Sequence, residues 1–240
     1  MAKKKSFNEE GVEIWFDEIF HTYYHEGKKL VSATQYIKKF YKEFDNENVS
    51  RASAKSWGVS QQDVKDLWLS NGELASLFGK AVHLSLEHYD RFKRVGKAIQ
   101  DKKEMGNNYA MPKHPILKSI VEQFIAVDNI EGDVVPEALL SNTELGYCGH
   151  ADRIVVKDWD KKICRIGDYK VNIGSEEVSS NAKALPPFNN LPANKITKYQ
   201  LQMSFYANLL EKSGWTVEGL DVFILEDGWR HYELSVLKVI

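Results

Sequence analysis

Cysteine is scarce in this sequence, because only Cys148 and Cys164 occur among 240 residues. Two cysteines give no reason to expect a disulfide framework, and they cannot supply the four thiolates of an iron–sulfur cluster. No run of about 18 apolar residues is present, so we expect no membrane-spanning helix and no membrane partner. The Gly-x-x-x-x-Gly-Lys-Ser/Thr phosphate loop is also missing, which argues against a helicase motor in this chain.

The first residues do not follow the pattern of a secretory signal. Lysines at positions 3 to 5 are followed by a polar stretch over residues 7–11, where a signal would have an apolar one. Apolar residues make up 43% of the sequence and charged residues 28%, which is typical of a globular protein. We therefore expect a globular, cytoplasmic protein.

The overall charge gives little indication of a nucleic-acid partner. The chain has 32 basic and 34 acidic residues, a net charge of −2. A DNA-binding protein of this charge needs a local basic groove, because Lys and Arg contact the phosphates. Candidate residues for such a groove are Lys28, Lys29, Lys38, Lys39, Lys42, Arg91, Lys93, Arg94, Lys97, Lys102 and Lys103. Solvated helix faces would explain these residues equally well.

Two strand-like runs, over residues 149–156 and 163–171, are joined by a polar turn and predict a β-hairpin. With the turn near Trp159 and Asp160, antiparallel counting places Asp152 opposite Gly167 or Asp168. The two-residue period of a strand puts Asp168 and Lys170 on one face.

The predicted hairpin therefore brings together two carboxylates, from Asp152 and Asp168, and the ammonium of Lys170. Adjacent carboxylates repel each other, and Mg²⁺ or Mn²⁺ can supply the missing positive charge. A bound metal can activate water, and a lysine can stabilise the hydroxide or a phosphate oxyanion. The alternative is an exposed hairpin with ordinary surface charges.

The hairpin and its surroundings resemble the PD-(D/E)XK nuclease superfamily, and within it the RecB-like exonuclease branch. The motifs of that branch occur here in order: Gly79 to His83, Glu137, Gly149 to Asp152, Asp168 to Lys170, and Gln202 to Tyr206. The segments at residues 20–24 and 27–34 also resemble small phage exonucleases and mitochondrial genome maintenance exonucleases.

The resemblance implies a role for each matching residue. Asp152 and Asp168 would bind Mg²⁺ or Mn²⁺, with His83 and Glu137 completing or supporting the metal site. Lys170 would stabilise the nucleophile or the transition-state phosphate. Gln202 and Tyr206 would orient the strand or the catalytic lysine.

The resemblance also implies an α/β fold with a restriction-endonuclease-like core, a mixed central sheet flanked by helices in the order αβββαβ. We expect an N-terminal hairpin and helical elaboration over residues 1–70 and the nuclease core over residues 71–240. The two arms of the N-terminal hairpin are predicted over residues 14–24 and 29–31. Helices are predicted over residues 32–44, 59–69, 74–92, 116–127 and 196–212. A strand is predicted over residues 134–140, where Pro136 indicates an edge strand or a bulge beside Glu137, and a closing hairpin is predicted over 219–236. The polar segment 173–194 is predicted to be a functional lid or a disordered segment.

These features predict a metal-dependent DNA exonuclease that acts on single strands or duplex ends, with recombination or replication proteins as possible partners. A structure-specific endonuclease or resolvase on the same fold is one alternative. A non-catalytic DNA-binding scaffold is the other, but it is disfavoured because Asp152, Asp168 and Lys170 are all present.

Overall fold

The structure is a computed structural model that describes residues 2–17, 19–20, 22–99, 111–171 and 182–240, without the side chains of residues 92–99. This part of the chain forms a large mixed sheet flanked by five helices. The strands are β1 (Ala2–Lys5), β2 (Glu13–Asp17), β3 (Thr22–His25), β4 (Lys28–Ser32), β5 (Asp133–Asn142), β6 (Tyr147–Asp158), β7 (Ile163–Val171), β8 (Thr216–Leu225) and β9 (Trp229–Leu234). The helices are α1 (Ala33–Lys38), α2 (Asn46–Trp57), α3 (Gln61–Ile99), α4 (Pro115–Val127) and α5 (Lys195–Lys212).

The strands follow the order β1-β2-β3-β4-β6-β7-β8-β9, and β5 pairs with β6 outside this path. The pairs β4–β6 and β7–β8 are parallel, and the other pairs are antiparallel, which makes the sheet mixed. After α3 and α4 the chain forms β5, β6 and β7, then α5, then β8 and β9. The sheet thus joins the N-terminal strands directly to the strands that carry the predicted acids.

Apolar side chains cover both faces of the sheet. On one face, α1 and α5 pack on β6, β7 and β8 through residues such as Ile37, Leu201 and Ile166. On the other face, α3 and α4 pack on β7, β8 and β9 through residues such as Leu86, Phe124 and Phe223. Burial on both faces explains why the central strands are nearly continuous apolar runs.

One helix, α3, replaces two predicted helices, so the predicted break between residues 69 and 74 is wrong. Gly72 lies inside α3, and a helical glycine costs only about 1 kcal/mol relative to alanine. The segment contains no proline that would force a break. The predicted boundary between the N-terminal elaboration and the nuclease core, at residue 70, falls inside this helix and stays a prediction.

The N-terminal part differs from the prediction in two further ways. The helix predicted to reach residue 44 ends at Lys38, and a second helix, α2, follows with Asp45 as its N-cap. Two strands, β2 (Glu13–Asp17) and β3 (Thr22–His25), lie where one arm of the hairpin was predicted. The early end of α1 is a boundary error, whereas α2 is an additional helix and β2 and β3 are two strands in place of one.

Other predicted elements are confirmed. The predicted helices near 116–127 and 196–212 correspond to α4 and α5, and the closing hairpin is β8–β9. Strand β5 pairs only with β6 among the described residues, as an edge strand should. In segment 173–194, residues 173–181 lie outside the described residues, whereas Lys183 and Pro192 form an isolated bridge. None of the described helices combines the length and apolar character that a bilayer crossing requires.

Candidate active site

The β6–β7 hairpin has the predicted register. Arg153 of β6 pairs with Gly167 of β7 in an antiparallel ladder. The residue before Arg153, Asp152, therefore lies opposite the residue after Gly167, Asp168. The backbone amide of Tyr169 donates a 2.8 Å hydrogen bond to Oδ2 of Asp152. This bond fixes the first carboxylate against the strand that carries the second.

His83 approaches the same carboxylate from α3. Its Nδ1 lies 3.4 Å from Oδ2 of Asp152, and its ring packs edge-on against Tyr169. Burial lowers the pKa of His83, but the contact with Asp152 outweighs it, and the net pKa is raised. The same contact lowers the pKa of Asp152 against the opposing effect of burial. Asp152 is therefore held in its ionised form.

Glu137 completes a group of three donors. The ladder between β5 and β6 places it opposite Asp152, and its φ of +49° lies in the left-handed region that non-glycine residues rarely adopt. Burial, followed by the negative charges of Asp152 and Glu87, raises the pKa of Glu137 to about 7. Near neutral pH, then, the negative charge at this position is only partly compensated by the surrounding protein.

One ligand atom each from His83, Glu137 and Asp152 lies within 4.8 Å of the others. Two carboxylates and an imidazole suit Mn²⁺, and the carboxylates alone suit Mg²⁺. Burial and neighbouring negative charges raise the pKa of Glu137, and a bound cation would offset both effects by stabilising the ionised carboxylate. The residues therefore fit the metal that the resemblance implies. Asp168, predicted together with Asp152 as a principal metal ligand, is not a member of this group among the described residues.

Asp168 is instead paired with Lys170, whose Nζ contacts Oδ2 of Asp168. Burial raises the pKa of Asp168 to about 6, although the lysine pulls it back. Burial lowers the pKa of Lys170, but the negative charges of Asp168 and Asp152 raise it by more, so the net pKa is raised and the ammonium stays charged. The ammonium also lies 5.2 Å from the ring centre of Tyr199 on α5.

The two predicted helix residues Gln202 and Tyr206 interact with each other. The amide of Gln202 donates a 3.1 Å hydrogen bond to the hydroxyl of Tyr206. The Tyr206 ring packs on Gly149, where an added Cβ would lie 2.5 Å from Cε1 of the ring. Tyr206 therefore needs glycine at that place in β6, three residues before Asp152.

A buried ion cluster beneath the acids was not predicted from the sequence. Arg153 has a fully buried side chain, and its guanidinium lies 3.4 Å from Asp90 and 3.1 Å from Asp128. Its stem fills the space beside Gly167, where an added Cβ would lie 2.5 Å from Cγ of Arg153. An arginine within a strand of valines and isoleucines was the sequence signal for this cluster, because a buried charge requires partners.

Comparisons with known proteins add little to this geometry. No protein-family description matches the sequence, and no curated protein matches it. A solved structure described as "Crystal structure of SSO0001" aligns with 14% sequence identity and a TM-score of 0.27, over 63% of this chain and 65% of that one. A TM-score this low does not establish a shared fold.

Proposed function

We propose that this protein is a metal-dependent DNA exonuclease that hydrolyses phosphodiester bonds from free strand ends. The observation that carries the proposal is the group formed by His83, Glu137 and Asp152, with the Asp168–Lys170 pair across the same hairpin. Separate elements supply these residues: α3, β5, β6 and β7.

The proposal includes a restriction-endonuclease-like core. The proposal is supported by the sequence of a helix, α3, the three strands β5, β6 and β7, then α5 and β8, and it treats α4 as an additional helix. The division between this core and residues 1–70 belongs to the same proposal.

The residues have distinct roles in the proposed reaction. His83, Glu137 and Asp152 would hold Mg²⁺ or Mn²⁺, with Asp168 beside them. The ion, when bound, would polarise the scissile phosphate and lower the pKa of an attacking water. The Lys170 ammonium, kept charged by its acidic neighbours, stabilises the developing negative charge on the phosphate.

Gln202 and Tyr206 are assigned a positioning role. Both lie on α5, the helix whose Tyr199 contacts the Lys170 ammonium. Their hydrogen bond fixes the face of α5 that packs on β6 near the acids. We propose that this face orients the DNA strand, or Lys170 itself, for reaction.

Labelled oligonucleotides test the proposed activity. Single- and double-stranded substrates carrying a dye at either end should be shortened stepwise with Mg²⁺ or Mn²⁺ and should stay intact with EDTA. Closed circular single strands should resist, because they offer no end. Cutting of closed circles as fast as linear strands would support the endonuclease alternative.

Asp168→Asn should reduce turnover by at least about a hundredfold, equivalent to about 2.7 kcal/mol of transition-state stabilisation. Asp160→Asn is the matched control, because Asp160 is exposed in the turn of the same hairpin. If Asp168→Asn retained near-normal, metal-dependent cleavage, the assignment of the site would be wrong.

A further inference from the structure

A cavity of about 440 Å³ lies beside the candidate active site. Its lining includes Gly149 and His150, which precede Asp152 in β6, and Tyr206 of α5. Phe20, Tyr23 and residues 32–35, which include the N-cap and first turn of α1, also line it. Its volume falls within the range of about 300–1,000 Å³ that is typical of small-molecule sites.

Most of the described lining consists of aromatic rings and uncharged polar groups. Among the described residues that line the cavity, none is a Lys, Arg, Asp or Glu. A phosphate binds most strongly where cationic side chains pair with it, so this described lining favours a neutral ring system. Phe20 has 74% of its surface exposed, and an exposed aromatic ring offers a stacking surface.

The hydrogen bonds of His150 leave one donor for a ligand. Nε2 of His150 lies 3.3 Å from the Lys4 ammonium, which can only donate, so Nε2 accepts. The proton of the neutral ring is then on Nδ1, which donates to the Tyr23 hydroxyl oxygen at 2.9 Å. The hydrogen of that hydroxyl is therefore available to an acceptor in the cavity, such as a carbonyl oxygen or ring nitrogen of a base.

We propose that this cavity binds an unpaired nucleobase with its sugar, stacked on Phe20, next to the phosphate that the proposed nuclease site cleaves. The inference rests on the proposed function and narrows its substrate to DNA with an unpaired nucleotide at that position. A base in an intact duplex would first have to leave its stack and its pair, which costs free energy, so an unpaired base is favoured.

Strands with a single abasic residue test this inference. KM and kcat are measured with Mn²⁺ on a single-stranded oligonucleotide and on copies that carry one abasic residue at successive positions. Binding of the same strands in EDTA is measured by fluorescence anisotropy. The proteins are the wild type, Phe20→Ala, and Ile19→Ala as the matched control, because Ile19 is an exposed neighbour that does not line the cavity.

One abasic position should raise the wild-type KM about tenfold, the size expected for loss of one stacked base. Phe20→Ala should raise KM on the intact strand by a similar factor. In this variant the abasic residue at the sensitive position should cause no further increase in KM. Ile19→Ala should behave as the wild type, and all three proteins should melt at the same temperature.

Two results would overturn the inference, and they are distinguishable. If an abasic residue raised KM equally in the wild type and in Phe20→Ala, the proposed base site would be wrong, and the nuclease proposal would be unaffected. A wild type that neither cleaves nor binds any of the strands would remove both.

Discussion

The hydroxyl of Tyr169 donates a 2.8 Å hydrogen bond to Asp90, a residue of α3 that lies about two helical turns after His83. Tyr169 stands between Asp168 and Lys170 in β7, and its backbone amide holds Asp152. Asp90 also pairs with the buried Arg153. The helix that carries the histidine and the strands that carry the acids are therefore joined through one buried polar cluster.

This cluster predicts different effects for its two aspartates. Asp90→Asn and Asp128→Asn should each cost about 3–5 kcal/mol of unfolding free energy, because each weakens a buried ion pair with Arg153. Only Asp90 lies on the helix of His83, so only Asp90→Asn should also weaken Mn²⁺ binding. Urea unfolding and calorimetric Mn²⁺ titration measure the two effects. If both variants bound Mn²⁺ with the affinity of the wild type, the cluster would only stabilise the fold.

His83→Ala should weaken Mn²⁺ binding more than Mg²⁺ binding, because imidazole suits the transition metal better. Loss of an outer-shell partner costs about 10–100-fold in metal affinity, so loss of a ligand should cost at least about tenfold. The control is His88→Ala, a change at an exposed position of the same helix. Calorimetry gives the affinities, and melts without metal give the stability. Unchanged Mn²⁺ affinity with a lower melting temperature would make His83 a packing residue.

The sequence predicted the hairpin well because its signals are local. The apolar runs, the turn and the two-residue period together determine which residues face each other, and the register of Asp152 with Asp168 followed from counting. The closing hairpin and α5 were predicted for similar reasons, from a turn signal and an apolar stripe.

Long-range relationships were beyond such counting. The pairing of β4 with β6 joins residues more than a hundred positions apart, and local patterns carry no information on it. Asp90 and Asp128 carry no signal for Arg153 until α3 and α4 are packed on the sheet. Glu137, in contrast, was predicted through the family resemblance. Its raised pKa was not predicted, because the pKa is raised mainly by burial, which depends on the fold.

Glu137→Gln should have opposite effects with and without metal. The pKa of Glu137 in the folded protein is raised from 4.5 to about 7, so its contribution to stability is full below about pH 4.5 and is lost as the pH rises to about 7. At pH 8 without metal, the glutamine should therefore stabilise the fold by about 1 kcal/mol or more, since each pKa unit corresponds to about 1.4 kcal/mol.

In saturating Mn²⁺ the order should reverse, because the wild type gains binding free energy that the variant loses. At 100 times Kd that gain is about 2.7 kcal/mol. Melts of the two proteins at pH 5 and pH 8, with EDTA or Mn²⁺, give all four comparisons. A variant less stable than the wild type in EDTA at pH 8 would contradict the buried-charge explanation.

Two glycines of the predicted motifs should respond differently to alanine. An added Cβ at Gly79 meets no atom within 4 Å, and the residue lies inside α3. Gly79→Ala should therefore raise the unfolding free energy by about 0.5–1 kcal/mol and leave metal binding unchanged. Gly149→Ala should instead push the Tyr206 ring away from β6, because the new Cβ would lie 2.5 Å from it.

Loss of that contact should cost about 1–3 kcal/mol of stability, as overpacking commonly does. It should also lower cleavage more than Gly79→Ala does, because the displaced ring carries the hydroxyl that accepts from Gln202. Urea unfolding, Mn²⁺ titration and turnover are measured on both variants. Equal losses of turnover would mean that the Gly79 backbone needs glycine for a contact with the DNA itself, and normal turnover in Gly149→Ala would remove Tyr206 from the proposed site.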